Sequence, residues 1–363
     1  MAQTRRGCGC LIAAVAVGLV ILGLVGWKVF LPWWKERERY APPPASGEEL
    51  RVRVLDVGQA DAILIISPVG KVALVDAGNP GGGKKIQAAM QRLGIDHIDL
   101  LVATHAHADH IGGADEVINA TTVNAVLDSR VPNTTKNYQD FLSAIEAKGV
   151  KYIGAEPDQT FDLGGGAQLR VLAPIQPFFT KEQLRSGGNE PNANSVVVRL
   201  DYGDFSMLLT GDAEAQTEER MMRQGAPIAA KVLKVGHHGS KYASSEEFLR
   251  RGEFEAAIIS NGADNRYGHP SQEVLDRLKA RGVKLYRTDL QGEISITTRG
   301  SSDGYQIKAE REAKEDMWAG RSAQKDDSSR SGFVAYGDFG PAPKKKENQN
   351  SNQNSNRKAA GER

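Results

Sequence analysis

The stretch THAHADHIGG, residues 104–113, concentrates metal-binding side chains directly after the apolar run DLLVA, where a strand is expected to end. Its four candidate ligands are His105, His107, Asp109 and His110. Imidazole and carboxylate are the ligands that a divalent metal ion takes where no thiolate is available. These groups can converge on one point only if the backbone turns sharply around a bound ion, and Gly112 and Gly113 permit such a turn. We therefore predict that all four bind metal, in preference to forming an exposed polar turn.

Two later strand ends carry similar groups. Asp212 ends the apolar segment MLLTGD, where its carboxylate could bridge two ions, although an Asp in that place could also simply form a turn before a helix. His237 and His238 follow another apolar strand. Because adjacent side chains diverge, we expect one to bind metal and the other to face substrate or an acid. We favour His237 as the ligand and His238 as a catalytic group; the alternative is a helix-capping loop with Ser240.

His269 lies between the predicted strand AAIISNG and the last predicted helix. It could protonate a leaving group or hold a phosphoryl oxygen, or it could belong to a structural turn before Pro270. We assign catalysis to Asp109, His238 and His269. Substrate contacts are assigned to three polar residues in the same segments, namely Asn194, Ser240 and Asn265. His97 is interpreted as structural.

Short strands and helices alternate through residues 49–312, which we predict to form one domain. Segments such as LRVRVLDVG and KVALVDAG are β-branched runs bounded by glycine, whereas YQDFLSAIEAKG has helical spacing and stops at glycine. Mixed elements of these lengths predict a layered α/β domain. The sequence contains no phosphate loop with a lysine, no G-x-S-x-G elbow and no dinucleotide fingerprint.

The ends of the chain have a different composition. With 363 residues, 40% hydrophobic and 25% charged, and a net charge of +1, the chain is globular rather than collagenous, largely disordered or multi-spanning. The apolar run 11–31 is long enough to cross a bilayer as a signal anchor; a cleaved signal peptide and a buried helix are the alternatives. We predict a cytoplasmic segment at 1–10, a proline-rich spacer at 32–48 and a disordered basic tail at 313–363.

The predicted topology is a single pass through the plasma membrane. The charges flanking the run mildly favour the opposite orientation, but the very short amino-terminal flank makes translocation of the remainder simpler, so we expect the domain outside the cytoplasm. Cys8 and Cys10 are the only cysteines and precede the run. The domain therefore has no disulfide or cysteine metal site.

The motif THAHADHIGG resembles the H-x-H-x-D-H signature of the metallo-β-lactamase superfamily. Further segments resemble, in order along the chain, the hydrolase domain of the ComEC DNA-uptake family: LDVGQADAILI from Leu55, LVDAG from Leu74, NANSVVVRL from Asn192, LLTGDA from Leu208, LKVGHHGS from Leu233, SNGADNRYGHPS from Ser260 and RTDLQGEISI from Arg287. The resemblance implies an αββα four-layer sandwich with a two-metal site at the sheet edge. It also implies that Asp212 and one of His237 and His238 join the first four ligands, with Asp76 as a supporting acid.

The chain departs from the family in three respects. The superfamily's middle histidine ligand is missing, because Asn192–Ser195 occupies its place, so one ion would be bound more weakly or completed by water. Ala60 stands where this branch has glycine. The ComEC family has many membrane spans and this chain has one predicted span, so the resemblance does not support a DNA channel.

The resemblance implies hydrolysis by water that two divalent ions, Zn²⁺ or Mn²⁺, activate. We expect a phosphoester substrate, with DNA first, and contact with the membrane through the anchor; no protein partner can be inferred. A small-molecule or cell-wall ester hydrolase and a non-enzymatic binding module are the alternatives. Residues 341–363 carry six Lys/Arg and two Glu, which leaves the rest of the chain slightly acidic and without an evident groove for DNA.

Overall fold

The computed structural model describes residues 46–184, 190–301 and 304–322. The predicted anchor at 11–31, Cys8, Cys10, most of the spacer and the tail beyond 322 lie outside these residues. Among the described residues, no helix combines the length and the apolar character that crossing a bilayer requires.

The described strands are β1 (Leu50–Val54), β2 (Ile63–Ile66), β3 (Val72–Val75), β4 (His97–Ile98), β5 (Leu100–Ala103), β6 (Thr122–Val123), β7 (Ala125–Asp128), β8 (Lys151–Gly154), β9 (Thr160–Gly164), β10 (Ala167–Ala173), β11 (Val197–Tyr202), β12 (Phe205–Leu209), β13 (Val232–Lys234), β14 (Ala256–Ile259), β15 (Lys284–Arg287), β16 (Ile294–Thr298) and β17 (Tyr305–Ala309). The described helices are α1 (Gly82–Leu93), α2 (Ala108–Ile111), α3 (Ala114–Ala120), α4 (Lys136–Lys148), α5 (Glu190–Ala193), α6 (Ala215–Arg223), α7 (Glu246–Gly252), α8 (Gln272–Ala280) and α9 (Thr288–Gln291), with 3₁₀ turns at Lys181–Gln183 and Gly236–Gly239.

Two large sheets face each other. Among the described residues, one sheet has the strand order β17-β16-β1-β2-β3-β5-β7-β8 and the other β15-β14-β13-β12-β11-β10-β9, with a small β4-β6 pair beside them. The core between the sheets includes Val52 and Val102 from the first and Val198 and Met207 from the second. The prediction of a layered α/β domain is confirmed.

Helices cover the outer face of each sheet, which completes four layers. Ile86 of α1 and Phe141 of α4 pack on the first sheet. Phe248 of α7 and Leu275 of α8 pack on the second. Residues buried on both faces of the central strands explain their continuous apolar runs, such as VALV in β3 and FSMLL in β12.

Parallel pairing brings the reactive strand ends together. β3 pairs in parallel with β5 in the first sheet, and β12 with β13 in the second. Chain segments that leave the carboxyl ends of parallel strands meet at one edge of a sheet, where ligands commonly bind. Asp76, His105, Asp212 and His237 all follow such ends. The fold therefore places these groups at a shared edge.

The two halves touch closely at Gly211. Its φ of 51° lies in the left-handed region, and a Cβ there would lie 2.8 Å from Thr104 Cβ. Thr104 also accepts a backbone hydrogen bond from Val196 at 2.8 Å. Only glycine combines this conformation with this approach, so Gly211 sets how near Asp212 comes to the histidine cluster.

Gly112 and Gly113 are needed in the turn because they have no side chain, and not because of an unusual backbone conformation. Their φ values of −62° and −101° suit any residue. A Cβ at Gly113, however, would lie 2.4 Å from the Ala77 carbonyl oxygen. The pair lets α2 and α3 pass against the loop after β3.

The packed chain extends beyond residue 312, where the sequence analysis ends the domain. Met317 and Trp318 pack against the core under the second sheet. Arg321 donates a 2.9 Å hydrogen bond to Asp289, and Gly320 donates one of 2.9 Å to Gln272. Residues 313–322, assigned to the tail, are therefore held on the domain; two apolar residues without periodicity gave too weak a signal to find them.

The contact at Gly211 yields a prediction about stability. Gly211→Ala adds both left-handed strain and the overlap with Thr104, whereas Gly94→Ala, at φ 70° with open space around it, adds the strain alone. The control should lower the free energy of unfolding by about 1 kcal/mol, and Gly211→Ala by a further 1–3 kcal/mol, roughly the cost of overpacking. Urea denaturation measures both, and equal losses would contradict the role given to the contact.

Candidate metal centre

Asp76 holds the loop that follows β5. Its Oδ1 accepts the Thr104 backbone N–H at 2.8 Å, and its Oδ2 accepts the Thr104 hydroxyl at 2.8 Å. The same Oδ2 accepts Nδ1 of His110 at 2.6 Å. A carboxylate on Nδ1 fixes the ring so that Nε2 is free to bind elsewhere. The structure thus places Asp76 as a support for His110.

Asp212 lies at the centre of four histidines. Its Oδ1 is 3.2 Å from His110 Nε2 and 3.7 Å from His238 Nε2. Its Oδ2 is 3.8 Å from His105 Nε2 and 3.7 Å from His237 Nε2. Each carboxylate oxygen therefore faces its own pair of imidazoles.

Among the described residues, four overlapping groups of candidate ligands share this edge of the fold. Two of them contain Asp61, together with Asp76 and His110 or with Asp212 and His238. The other two are called the first and the second ligand group. In the first, ligand atoms of His105, His107 and Asp212 all lie within 4.8 Å of one another. In the second, Asp109, His110 and His238 meet the same limit. Because Asp212 Oδ1 faces the second group while Asp212 belongs to the first, its carboxylate lies between the two.

The residues present fit divalent metal ions. Three buried atoms at the centre form no hydrogen bond of good geometry: His110 Nε2, His238 Nε2 and Asp212 Oδ1. Asp212 Oδ1 lies 3.2 Å from the first and 3.7 Å from the second, so the three face one another. Buried polar atoms are normally satisfied, because leaving one unpaired costs about 1–3 kcal/mol. Three such atoms facing one small space, all of them types that bind Zn²⁺ or Mn²⁺, are explained by metal binding.

The electrostatics point the same way. Burial alone would raise the pKa of the Asp212 carboxyl, but His110, His237 and His238 hold that pKa well below its usual range. Burial would lower the pKa of His110, but Asp212, Asp76 and Asp109 hold it well above the ordinary value. Burial, with His110 next, lowers the pKa of His105 well below its ordinary value. The acids at the centre thus favour a positive charge there, which a divalent ion would supply.

The His237–His238 turn is strained. Both residues are left-handed, with φ of 49° and 51°, a conformation that costs a non-glycine residue about 1–3 kcal/mol and clusters at functional sites. His238 is buried, with Nδ1 2.8 Å from the Ser260 carbonyl oxygen and Nε2 3.3 Å from Asp109 Oδ2. The sequence analysis favoured His237 as ligand and His238 as catalyst; the structure puts His238 inside the second ligand group.

His269 and His97 lie in different surroundings. The His269 ring is 5.5 Å from that of His237 and stacks on Tyr267 at 6.0 Å. Burial and the two neighbouring histidines lower the pKa of His269 to about 3, so its imidazole is neutral near pH 7. His97 is half-exposed on β4 and its Nδ1 lies 2.7 Å from Asp96, away from the ligand groups.

The side chains of two predicted substrate-contact residues, Asn194 and Asn265, form hydrogen bonds to loop backbone. Asn194 bonds through its side chain to both the N–H and the carbonyl of Phe179, at 2.9 and 3.0 Å. Asn265 donates to the His269 carbonyl at 2.6 Å and accepts its N–H at 3.0 Å. Ser240 is buried and its Oγ accepts the Tyr242 N–H at 3.4 Å. Asn265 therefore positions the His269 loop.

Asn192 lies where the sequence analysis noted a missing histidine. It is fully buried, its Nδ2 is 3.2 Å from His237 Nε2, and its Oδ1 has no hydrogen-bond partner among the described residues. Beside it, Ser195 Oγ accepts the Asp212 N–H at 3.3 Å. The segment thus borders the first ligand group.

Three buried charged residues at the centre were missed by the sequence analysis. Lys234 Nζ donates to Asp61 Oδ2 at 2.8 Å, and Asp61 Oδ1 lies 3.6 Å from His238 Nδ1. Glu214 Oε1 lies 3.5 Å from His237 Nδ1. One signal existed: Lys234 interrupts the apolar run VLKV, and a lysine in a buried strand requires a partner.

The Lys234–Asp61 pair yields a second prediction. Lys234→Met should lower the free energy of unfolding by about 3–5 kcal/mol, because it leaves a buried carboxylate unpaired. The double variant Asp61→Leu/Lys234→Met should recover most of that loss, because neither charge remains. Urea denaturation of chelator-treated protein measures both, and a double variant no more stable than Lys234→Met would contradict the pairing.

Comparison with known proteins agrees with this geometry. The family description "Metallo-beta-lactamase superfamily" matches residues 55–177. ComE operon protein 3 of Bacillus subtilis is 31% identical over 269 residues, covering 69% of this chain and 33% of that protein. Competence protein ComA of Neisseria gonorrhoeae is 29% identical over 295 residues, covering 79% and 38%. Recombination protein 2 of Haemophilus influenzae is 32% identical over 252 residues, covering 68% and 28%.

This chain spans about a third of the length of these relatives. The similarity therefore concerns part of each relative, and in this chain the family match lies within the domain described above. Its fold, its ligand groups and the family match agree with one another. The domain belongs to the metallo-beta-lactamase superfamily, is related to the competence proteins, and has the site of a metal-dependent hydrolase.

Proposed function

We propose that this protein is a binuclear phosphodiesterase that cleaves DNA. The observation that carries the proposal is the pair of ligand groups on either side of Asp212. Two-metal centres of this kind serve phosphodiester hydrolysis because one site can activate water while the other stabilises the developing charge.

The proposed ions are Zn²⁺ or Mn²⁺. His105, His107 and Asp212 would hold one, and Asp109, His110 and His238, with Asp212, the other. Imidazoles and carboxylates without a thiolate suit either metal. Bound there, the ions would lower the pKa of a water molecule and so provide hydroxide near neutral pH.

The chain's own residues would orient the reaction. Asp109 keeps about a quarter of its side chain exposed, at 26%, while its Oδ2 faces His238. It can therefore also accept a hydrogen bond from the attacking water and orient it. His269 is held by the Asn265 loop beside His237, where its ring can hydrogen-bond a phosphoryl oxygen or the leaving group. Asp76 and the Ser260 carbonyl keep His110 and His238 in the ring orientation that binding requires.

DNA is proposed as substrate on the resemblance to the DNA-uptake family and on relatives named for competence and recombination. The apolar run 11–31 supports a further proposal, that the domain is tethered to the plasma membrane and faces outward. The basic tail from residue 341 onward would bind a polyanion through its lysines and arginines.

The third prediction tests this activity. Full-length protein loaded with Mn²⁺ should cleave plasmid DNA and bis-p-nitrophenyl phosphate. Asp109→Ala and Asp212→Ala should each reduce both rates at least about 100-fold, because removing a ligand costs no less than removing a supporting contact. Asp140→Ala, which removes an exposed carboxylate on α4 paired with Lys136, should leave both rates unchanged.

The two substrates separate the alternatives. Turnover of bis-p-nitrophenyl phosphate alone would contradict DNA as substrate and favour a small-molecule or cell-wall ester hydrolase. Metal-loaded protein that turns over neither would contradict catalysis and favour a binding module. Activity that survives in the metal-stripped aspartate variants would contradict the whole assignment.

A further inference from the structure

The two adjacent histidines of the 3₁₀ turn point to different ligand groups. His238 Nε2 lies on the Oδ1 side of Asp212, at 3.7 Å, together with His110. His237 Nε2 lies on the Oδ2 side, also at 3.7 Å, together with His105. Their ring centroids are 6.4 Å apart and their planes differ by 69°.

His237 has the surroundings of a metal ligand rather than of a surface residue. Its Nδ1 faces Glu214 Oε1 at 3.5 Å, and that oxygen is buried without a hydrogen-bond partner. A carboxylate facing Nδ1 orients a histidine so that Nε2 can bind an ion. In the second group Asp76 lies on the same side of His110 but closer, with a 2.6 Å hydrogen bond to Nδ1, whereas Glu214 approaches His237 without bonding to it.

The first group has room for a fourth ligand. His105, His107 and Asp212 supply three ligand atoms, and the fourth position of a Zn²⁺ ion is filled either by another side chain or by water. Asn192 and His237 lie beside this space, with their side chains 3.2 Å apart. His237 Nε2 is 3.7 Å from Asp212 Oδ2 but stands outside the 4.8 Å group, so binding there needs a small movement of its ring. An amide is a poor ligand for these metals, whereas an imidazole is a good one.

We infer that His237 and His238 each bind one of the two ions. His237 would then complete the site of His105 and His107, in place of the middle histidine ligand that the superfamily has where this chain has Asn192. The sequence analysis allowed only one of the pair to bind metal. The left-handed backbone at both positions, which is otherwise unfavourable, turns neighbouring side chains toward opposite oxygens of Asp212. This inference rests on the proposed metal centre but not on the proposed substrate.

Metal content without substrate tests the inference. Full-length protein, stripped with a chelator, reloaded with Zn²⁺ and dialysed, is measured by inductively coupled plasma mass spectrometry. Wild type should retain about two ions per chain. His237→Ala and His238→Ala should each retain about one, and the double variant about none. His97→Ala, a histidine outside the ligand groups, should retain two.

A rescue variant makes the test specific to the first site. Because Asn192 Nδ2 lies 3.2 Å from His237 Nε2, a longer imidazole at 192 can reach the vacated space once His237 is removed. Asn192→His in the His237→Ala background should restore the second ion, and titration calorimetry should show its affinity rise at least about 10-fold over His237→Ala. Circular dichroism of each variant checks that the fold is retained.

The metal-content results test the inference separately from the DNA-cleavage results, which test the proposed function. Two ions in His237→Ala, one ion in the double variant, or fewer than two in wild type would each overturn the inference. So would a failure of Asn192→His to restore the ion in folded protein. Protein that binds as expected but cleaves no DNA would leave the inference standing and remove only the proposed function.

Discussion

The Asp212 carboxylate is the point on which the rest of the site depends. A buried carboxylate surrounded by four imidazoles is tolerable only if positive charge is present, because burying an unpaired charge is costly. The loop after β12 presents this group to the histidines that follow β5, and Gly211 allows the two loops to approach. The packing of the two sheets therefore brings candidate metal ligands to both oxygens of one carboxylate.

Three histidines around this centre have the same kind of neighbour, an oxygen atom that faces Nδ1 of the ring. His110 is oriented by Asp76, His238 by the Ser260 carbonyl, and His237 faces Glu214. In each case an oxygen lies near Nδ1 and leaves Nε2 directed at Asp212. The Lys234–Asp61 pair lies beneath His238 and adds a charge contact on the same side. Such oriented imidazoles lose little freedom when an ion binds, which favours tight binding.

Much of the fold could be predicted from local patterns. Apolar runs such as VALV and LLVA predicted strands, and glycine after YQDFLSAIEAKG predicted a helix end, because these signals lie within a few residues. The limit at residue 312 was too early, because Met317 and Trp318 carry no periodicity and pack only once the second sheet exists. Asn194 and Asn265, predicted to contact substrate, bond to nearby backbone in the described structure, and their contact with substrate stays a prediction.

By itself the sequence determined the kind of chemistry. Three histidines and an aspartate within six residues after a strand, His105, His107, Asp109 and His110, indicate a metal-binding site. The sequence alone gives the ligand types and their order. Only the tertiary structure decided how the ligands divide. Which oxygen of Asp212 faces His237 or His238 depends on how two neighbouring strands of the second sheet pair. The contact of Lys234 with Asp61 depends on the distance between the two halves of the chain. Sheet packing sets those distances, and no short sequence pattern encodes them.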